Sequence, residues 1–485
     1  MGGILFILYR FLLDTIGVER LGIWSIVLAT TSIANIATFG ITGSVIKFVA
    51  KYLARGDEEA LSNTIQTAAV SVGAIIGFGI LAVYPFVSWL LGMVIPLQKL
   101  EEALSILPYS MVSLWLTAIS SVFLSGIDGH QRFDLRTTLF MTCGIVHLLL
   151  AFILVPTFEL HGLAYAQIAQ STLILLGSWL ILKRFIPLLP LVFFRWNRTL
   201  FIEMLHYGAN VQITSITQML TDPVTKTLIT KFGGLSMAGF YEMAYKMVMQ
   251  VRALLISVNQ VMLPAIADLH EREPHRVIDI YKETYLLLSY LAIPIFSAII
   301  AFAPIISEIW LGYYEHKFIF TAVLLAIGYL LNTLGTTAYY SNLGTGRLRW
   351  NTIGLLTVAV LNVCLGLILG PFFGGWAIVA TWVTSLIIGS AIISIAYHVQ
   401  NNIPVAELLV KENKLIILTG ITAICLTYLV YDLTYRKINI WGVAGIAVPL
   451  FCLVEGLPLW NHPMRKRLSG WLALNFHFKE SKATK

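Results

Sequence analysis

Two pairs of opposite charges stand four residues apart within apolar sequence: Asp222 with Lys226, and Glu242 with Lys246. On a helix that spacing puts both members on one face, where they can form an ion pair. Ionisable groups inside a membrane cost about 2.5–3.5 kcal/mol on insertion scales, so those that persist usually serve a function. Pro223 follows Asp222; it weakens the helix and frees backbone groups there. Ser215, Gln218, Asp222 and Lys226 share a helical face. A polar stripe beside a proline suits a cavity wall better than a lipid-facing surface. Two readings stay open: charges paired for structure, or a transport site in which Asp222 binds a coupling ion.

Arg10, Lys47 and Arg252 are read as cations outside such pairs. Snorkelling from a helix end accounts equally for Arg10 and Lys47, whereas Arg252 lies nearer the middle of its apolar run. Thr31, Asn35, Thr38 and Thr42 form a second polar stripe; Asn332, Thr336 and Tyr339 form a third. Such residues also join helices. Together they predict a wet interior with excess positive charge: Arg10, Lys47, Lys226, Lys246 and Arg252 against Asp222 and Glu242. Asn35, Thr38, Gln218 and Asn332 are the expected polar lining. A cationic cavity suits an anionic cargo such as a pyrophosphate, which arginine grips through two parallel hydrogen bonds.

No catalytic constellation accompanies these residues. The sequence has no Walker A run, no HExxH and no GxSxG, which argues against those enzyme classes. Without a nucleotide site, cargo would move by exchange, on an ion gradient, or downhill. The four cysteines lie in apolar segments without a CxxC pair; they read as small hydrophobes, with neither metal nor cofactor expected.

The elements that must hold these residues are membrane helices. Of 485 residues 58% are hydrophobic and only 12% charged, about half the charged share of a soluble domain. The mean hydropathy is +0.82. The apolar runs are continuous over about 20 residues or more, which predicts an all-α polytopic membrane protein with about fourteen spans. The first run is short: only Gly2 to Leu13 is uninterrupted before Asp14, about 18 Å of helix. That leaves either a late start or a truncated first helix.

The chain also repeats itself. Gly22, Trp24 and Arg55 are echoed by Gly239, Tyr241 and Arg272, each 217 residues on; Gly129 and Arg132 are echoed by Gly344 and Arg347, 215 on. Paired halves are a common transporter plan. The expected organisation is a six-helix lobe over 1–187, an interfacial linker over 188–202, a second six-helix lobe over 203–400, two extra helices over 413–458 and a basic tail over 459–485. Basic residues concentrate in one set of loops, with Arg132, Arg195, Arg272 and Arg347, and in the tail. The opposite loops hold only Arg20, Lys99, Lys231, Lys317, Arg436 and Lys437. This asymmetry predicts that both termini are cytoplasmic. The net charge of +7 therefore sorts by membrane side and does not point to nucleic acid.

The run Glu19-Arg-Leu-Gly-Ile-Trp-Ser25, then Phe39-Gly-Ile-Thr-Gly43 and Lys47 through Asp57, resembles the opening of polysaccharide-biosynthesis flippases. These belong to the multidrug/oligosaccharidyl-lipid/polysaccharide exporter superfamily. Ala238 through Lys246, Pro264 through Asp268, and Gly129-x-x-Arg132 are similar to that family as well. The resemblance covers about residues 14 to 455 and rests on the ordered string of motifs. It implies two six-helix lobes around a cavity that opens alternately to each side of a bacterial or archaeal cytoplasmic membrane. The implied cargo is an undecaprenyl-diphosphate-linked sugar unit. Membrane lipids and a polymerase or export machinery are the expected partners. The short first span departs from the family. A drug/cation antiporter and a peptidoglycan-precursor flippase of the same superfamily remain as alternatives. The first would need buried carboxylates, and the first-half interior spans offer none. A membrane enzyme such as a polysaccharide polymerase would need a large loop or catalytic domain, and no loop exceeds about 25 residues.

Overall fold

The computed structural model describes residues 2–467 except 33–38, 191–194, 210, 211, 409, 410, 436 and 466. The side chains of 39–40, 207–209, 212–220, 261, 264 and 271 also lie outside the described set. Among the described residues all regular structure is helical. In order these are α1 (Gly2–Ser32), α2 (Phe39–Arg55), α3 (Glu58–Val94), α4 (Leu97–Gly129), α5 (Phe133–Phe185) and α6 (Arg198–Ala209). They are followed by α7 (Gln212–Arg272), α8 (Arg276–Leu311), α9 (His316–Gly344), α10 (Arg349–Gln400), α11 (Lys414–Thr434) and α12 (Ile440–Asn461). Nine described helices are long and apolar enough to cross a membrane. In lipid a helix satisfies its own backbone groups, which is why apolar runs of this length fold this way.

Four of these helices are hairpins in disguise. α1, α5, α7 and α10 each contain one non-helical residue: Gly17 (φ 80°), Glu159 (φ 51°), Gly234 (φ 77°) and Gly374 (φ 66°). A positive φ is open to glycine but costs an ordinary residue about 1–2 kcal/mol, so Glu159 is the strained member. The chain doubles back at these points. Gly177 packs on Leu139 within α5, and Gly354 on Ile393 within α10. In a straight helix either pair would be about 57 Å apart. Divided at these breaks, with the second half of α1 and α2 counted as one span and the 12-residue α6 left aside, the helices supply fourteen segments.

The first span is a correction. Asp14 does not end it: the helix continues to the break at Gly17, and Asp14 is held by Arg10 at 2.8 Å. Arg10, expected to stand outside any ion pair, has this partner one turn away on its own helix.

The breaks repeat with the sequence. Gly17 and Gly234 are 217 residues apart; Glu159 and Gly374 are 215 apart. α4 and α9 end alike, with Gln131 and Gly346 in the left-handed region. The N–H of Arg132 donates to Ile127 O and that of Arg347 to Asn342 O. These six-to-one bonds, with the left-handed residue before them, make the same helix-ending motif twice. A Cβ on Gly129 would lie 2.7 Å from Val49, and one on Gly344 2.7 Å from Ile266. The repeated glycine is thus a close-packing residue, and the repeated arginine closes the cap.

The turns are fastened differently in the two halves. Arg20 bonds Glu102 at 2.6 Å and Glu159 at 2.7 Å, tying the turn of α1 to that of α5. Met237, the counterpart of Arg20 at the 217 offset, instead packs on Gly233 and Gly375, whose backbones touch beside the turns of α7 and α10. An ion pair in one half is replaced by glycine contact in the other.

The chain forms two compact units, one of residues 1–242 with 363–378, the other of 243–362 with 379–485. The first has a core of Val45, Val49, Ile65, Val122 and Ile127, joined by Met204 of α6. The stretch before α6 is pinned to α3. The N–H of Arg195 donates to Gln66 Oε1, Trp196 Nε1–H to Ser71 Oγ, and the N–H of Asn197 to Thr67 Oγ1. α8 and α9 pack together in the second unit, and α11 and α12 pack on α8.

Candidate functional site

The most polar buried cluster described in the first unit is built on the two glycine hairpins. Tyr9 and Ser25 each lie eight residues from Gly17; Lys226 and Glu242 each lie eight residues from Gly234. The turns therefore place each pair side by side on facing arms. Glu242 is almost fully buried, with a side-chain exposure of 5%. It accepts from Tyr9 Oη–H at 3.1 Å and from Ser25 Oγ–H at 2.8 Å. Lys226 Nζ lies 2.8 Å from Glu242 Oε2 and 3.1 Å from Asp222 Oδ2. Asp222 Oδ1 has no hydrogen-bond partner among the described residues.

One buried lysine thus serves two carboxylates. Breaking such a pair from one side costs about 3–5 kcal/mol, because it strands a buried charge. The i,i+4 spacing foresaw Asp222 with Lys226. It did not foresee the bond from Lys226 to Glu242, which crosses the hairpin. Tyr9 and Ser25 were also missed. The repeat carried the signal: Tyr9 is 217 residues from Lys226, and Ser25 is 217 from Glu242. A hydroxyl pair in the first half occupies the positions of an ion pair in the second.

Arg252 belongs to the second unit. Its Nη2–H donates to Asn332 Oδ1 of α9 at 2.7 Å, and the guanidinium lies 5.1 Å from the Tyr329 ring. Asn332 is fixed in turn by donating to Ser390 of α10 at 2.7 Å. Arg252 Nε has no hydrogen-bond partner among the described residues. Two turns further along α7, Asn259 donates to Thr336 at 2.8 Å. The Asn332–Thr336 stripe therefore joins α7 to α9 and also holds a guanidinium whose buried Nε is left without a partner among the described residues.

The other expected residues scatter. Lys47 is exposed on α2, Lys246 is partly buried one turn after Glu242, and Arg10 is partly exposed beside Asp14. Asn35 and Thr38 lie outside the described residues, as does the side chain of Gln218. Among the first-half carboxylates, Asp128 pairs with Arg136, and Glu102 and Glu159 with Arg20. Among the described residues no group of three or more His, Cys, Asp or Glu is placed to hold a metal ion.

No curated protein matches the sequence. Solved structures do match the fold. An inward-facing multidrug resistance MATE-family transporter of the MOP superfamily aligns with a TM-score of 0.68 at 14% identity, over 83% of this chain and 95% of that one. The lipid II flippase MurJ, in an inward closed conformation, aligns with a TM-score of 0.67 at 15% identity, over 94% of this chain and 96% of that one. A MOP-superfamily transporter from Pyrococcus furiosus aligns at 0.54 and 14% identity, over 83% and 95%. At such identities the likeness establishes the fold: an all-α membrane architecture shared with MOP-superfamily transporters. The sequence itself matches the family described as Polysaccharide biosynthesis protein over residues 7–317, well over half its length, and the chain belongs to that family.

Proposed function

We propose that the protein is a flippase carrying an anionic, lipid-linked oligosaccharide across the cytoplasmic membrane of a bacterium or archaeon by alternating access. The cargo is an undecaprenyl-diphosphate-linked repeat unit, handed to a polymerase or export machinery on the far side. The family match over residues 7–317 carries this reading. Arg252 supports it, because a guanidinium in an apolar helix, oriented by Asn332, is a chemical match for a diphosphate. In this reading Arg252 is the residue that grips the diphosphate of the cargo.

A second reading, a peptidoglycan-precursor flippase, draws on one observation. The lipid II flippase aligns over 94% of this chain and the MATE transporters over 82–83%. The same coverage favours a lipid-linked cargo over drug antiport.

The test uses the full chain in proteoliposomes loaded with a fluorescent undecaprenyl-diphosphate sugar, and an external quencher. The expected result is that the quenchable fraction grows from about half toward completion faster than in protein-free vesicles. Equal rates would overturn the flippase reading. Faster movement of lipid II than of the sugar-linked analogue would favour the second reading.

A further inference from the structure

The last helix carries a glutamate that none of the chemistry above uses. The buried residues of α12 are Val443, Ala447, Phe451, Glu455 and Pro458, a single face recurring every three or four positions. Glu455 sits in that apolar stripe and is only 2% exposed. Neither carboxylate oxygen has a hydrogen-bond partner among the described residues. An ionised carboxylate left so in an apolar surrounding is among the costliest groups a fold can bury, and intramembrane acids that persist generally bind something.

The groups around it supply no counter-charge. α12 packs on α11 and α8. On α8, Tyr290 donates to Leu459 O and Glu308 accepts from Tyr431; Lys282 is paired with Glu407 and Arg276 with Glu273. On α11, Tyr428 donates to Ile300 O, and Lys414 and Asp432 are exposed near opposite ends. His462, beyond α12, stacks on Tyr290 at 5.0 Å, and Arg467 is paired with Glu283.

Gly420 packs between the carboxylate and a hydroxyl: a Cβ there would lie 2.9 Å from Ser297 Oγ and 3.5 Å from Glu455 Oε1. Glycine thus lets the hydroxyl and the acid approach with no side chain between them. Ser297 also lines a cavity of about 540 Å³ bordered by α8, α9, α10 and α11, whose polar lining includes Ser289, Ser390, Ser394 and Asn413.

We propose that Glu455 is an intramembrane proton-binding site, reached from this cavity through the Ser297 hydroxyl beside Gly420. Uptake converts the carboxylate to a neutral acid and changes the charge of the site by one, with no other bond made or broken. A proton fits better than a metal cation. Hard cations take about six or more oxygens, and beside the carboxylate itself the neighbouring side chains offer the hydroxyls of Ser297 and Thr419. The assignment is independent of the cargo.

Dicyclohexylcarbodiimide tests it, since this apolar reagent modifies protonated carboxyl groups in apolar surroundings. The full chain in proteoliposomes is treated between about pH 5 and pH 9, a range in which exposed carboxylates are ionised, and adducts are mapped by mass spectrometry. The expected result is an adduct at Glu455 that falls at least tenfold as the pH rises. It should be absent in Glu455→Gln and form several-fold more slowly in Ser297→Ala and Gly420→Ala. Each variant is first required to elute as the unmodified protein does. No adduct at Glu455 at any pH, or one indifferent to pH, would overturn the proposal. Protection by sodium chloride relative to choline chloride at fixed pH would overturn the proton in favour of sodium. Normal labelling of Ser297→Ala would overturn the route.

Discussion

Gly22 and Gly239 lie 217 residues apart and pack reciprocally. A Cβ on Gly22 would fall 2.1 Å from the carbonyl oxygen of Leu235, and one on Gly239 would fall 2.4 Å from that of Val18. Val18 and Leu235 are themselves 217 apart. When residue i meets j′ and j meets i′, the contact is isologous and belongs to a local two-fold relation. The Tyr9–Ser25–Glu242–Lys226 cluster is built on the same two hairpins. The relation is geometric and not chemical, because hydroxyls in one arm pair answer charges in the other.

Gly22→Ala and Gly239→Ala should each destabilise the fold by at least about 1–3 kcal/mol, the usual cost of overpacking. Here the obstacle is backbone, which cannot rotate away. Gly445→Ala, where nothing lies within 4 Å of the added atom, should be near neutral. Thermal unfolding in detergent, followed by size-exclusion chromatography, checks the order. Because the two contacts share one interface, the double variant should lose less than the sum of the singles. Full additivity would argue that the contacts act separately.

Lys226 stays paired with Glu242 if Asp222 is neutralised, so Asp222→Asn should cost little stability. Glu242→Gln should cost more, about 1.5–3 kcal/mol or above, because the buried carboxylate accepts from Tyr9 and Ser25 as well as pairing with Lys226, and all three bonds weaken. Thermal melts give the ranking. Asp222→Asn then becomes an informative transport variant: a stable protein that fails to flip would assign Asp222 to coupling, and normal flipping would leave it structural. If Asp222→Asn proves the less stable of the two, the bond to Glu242 is not the dominant one.

Much of this architecture was legible because membrane helices announce themselves. A run of about 20 apolar residues has few other uses, and the hairpin breaks follow the 217 and 215 offsets already visible in the glycines and arginines. The site was less legible. Asp14 lay within plain reach of Arg10, and the expectation passed over it. The Lys226–Glu242 bond spans sixteen residues, a separation that no helical periodicity marks, and only the turn at Gly234 creates it. A lone tyrosine and serine in apolar helices look like packing residues. Nothing in the sequence marks Tyr9 and Ser25 except their offset from two charged counterparts.

Topology offers an independent check. The asymmetry of basic loops predicts that both termini are cytoplasmic, with the turn between α8 and α9 at Glu315 on the opposite side. Reporter fusions at Lys485 and near Glu315 should therefore give opposite compartments. A periplasmic signal at Lys485 would invert the assignment and exchange the two faces of every span with it.

Arg252 is where the proposed cargo and the geometry meet most directly. Its guanidinium is oriented by Asn332, which Ser390 holds in turn, and it faces the Tyr329 ring. Arg252→Ala should therefore abolish flipping while leaving protein abundance near normal, since among the described residues the variant breaks no ion pair. Hydrogen bonds to charged groups contribute about 1.5–3 kcal/mol, so affinity for a diphosphate should fall about tenfold or more. Arg252→Lys should be impaired but milder, because a point charge replaces a fork that can hold Asn332 and a phosphate together. Asn332→Ala keeps the cation and removes its orienting partner. It should weaken binding less than Arg252→Ala and respond less to Arg252→Lys added on top, because the two residues act as one unit. Binding of a soluble undecaprenyl-diphosphate analogue, measured for all four variants beside flipping, separates loss of grip from loss of motion. Normal flipping by Arg252→Glu would sink the assignment, since a carboxylate at that position repels the cargo that the arginine is supposed to hold.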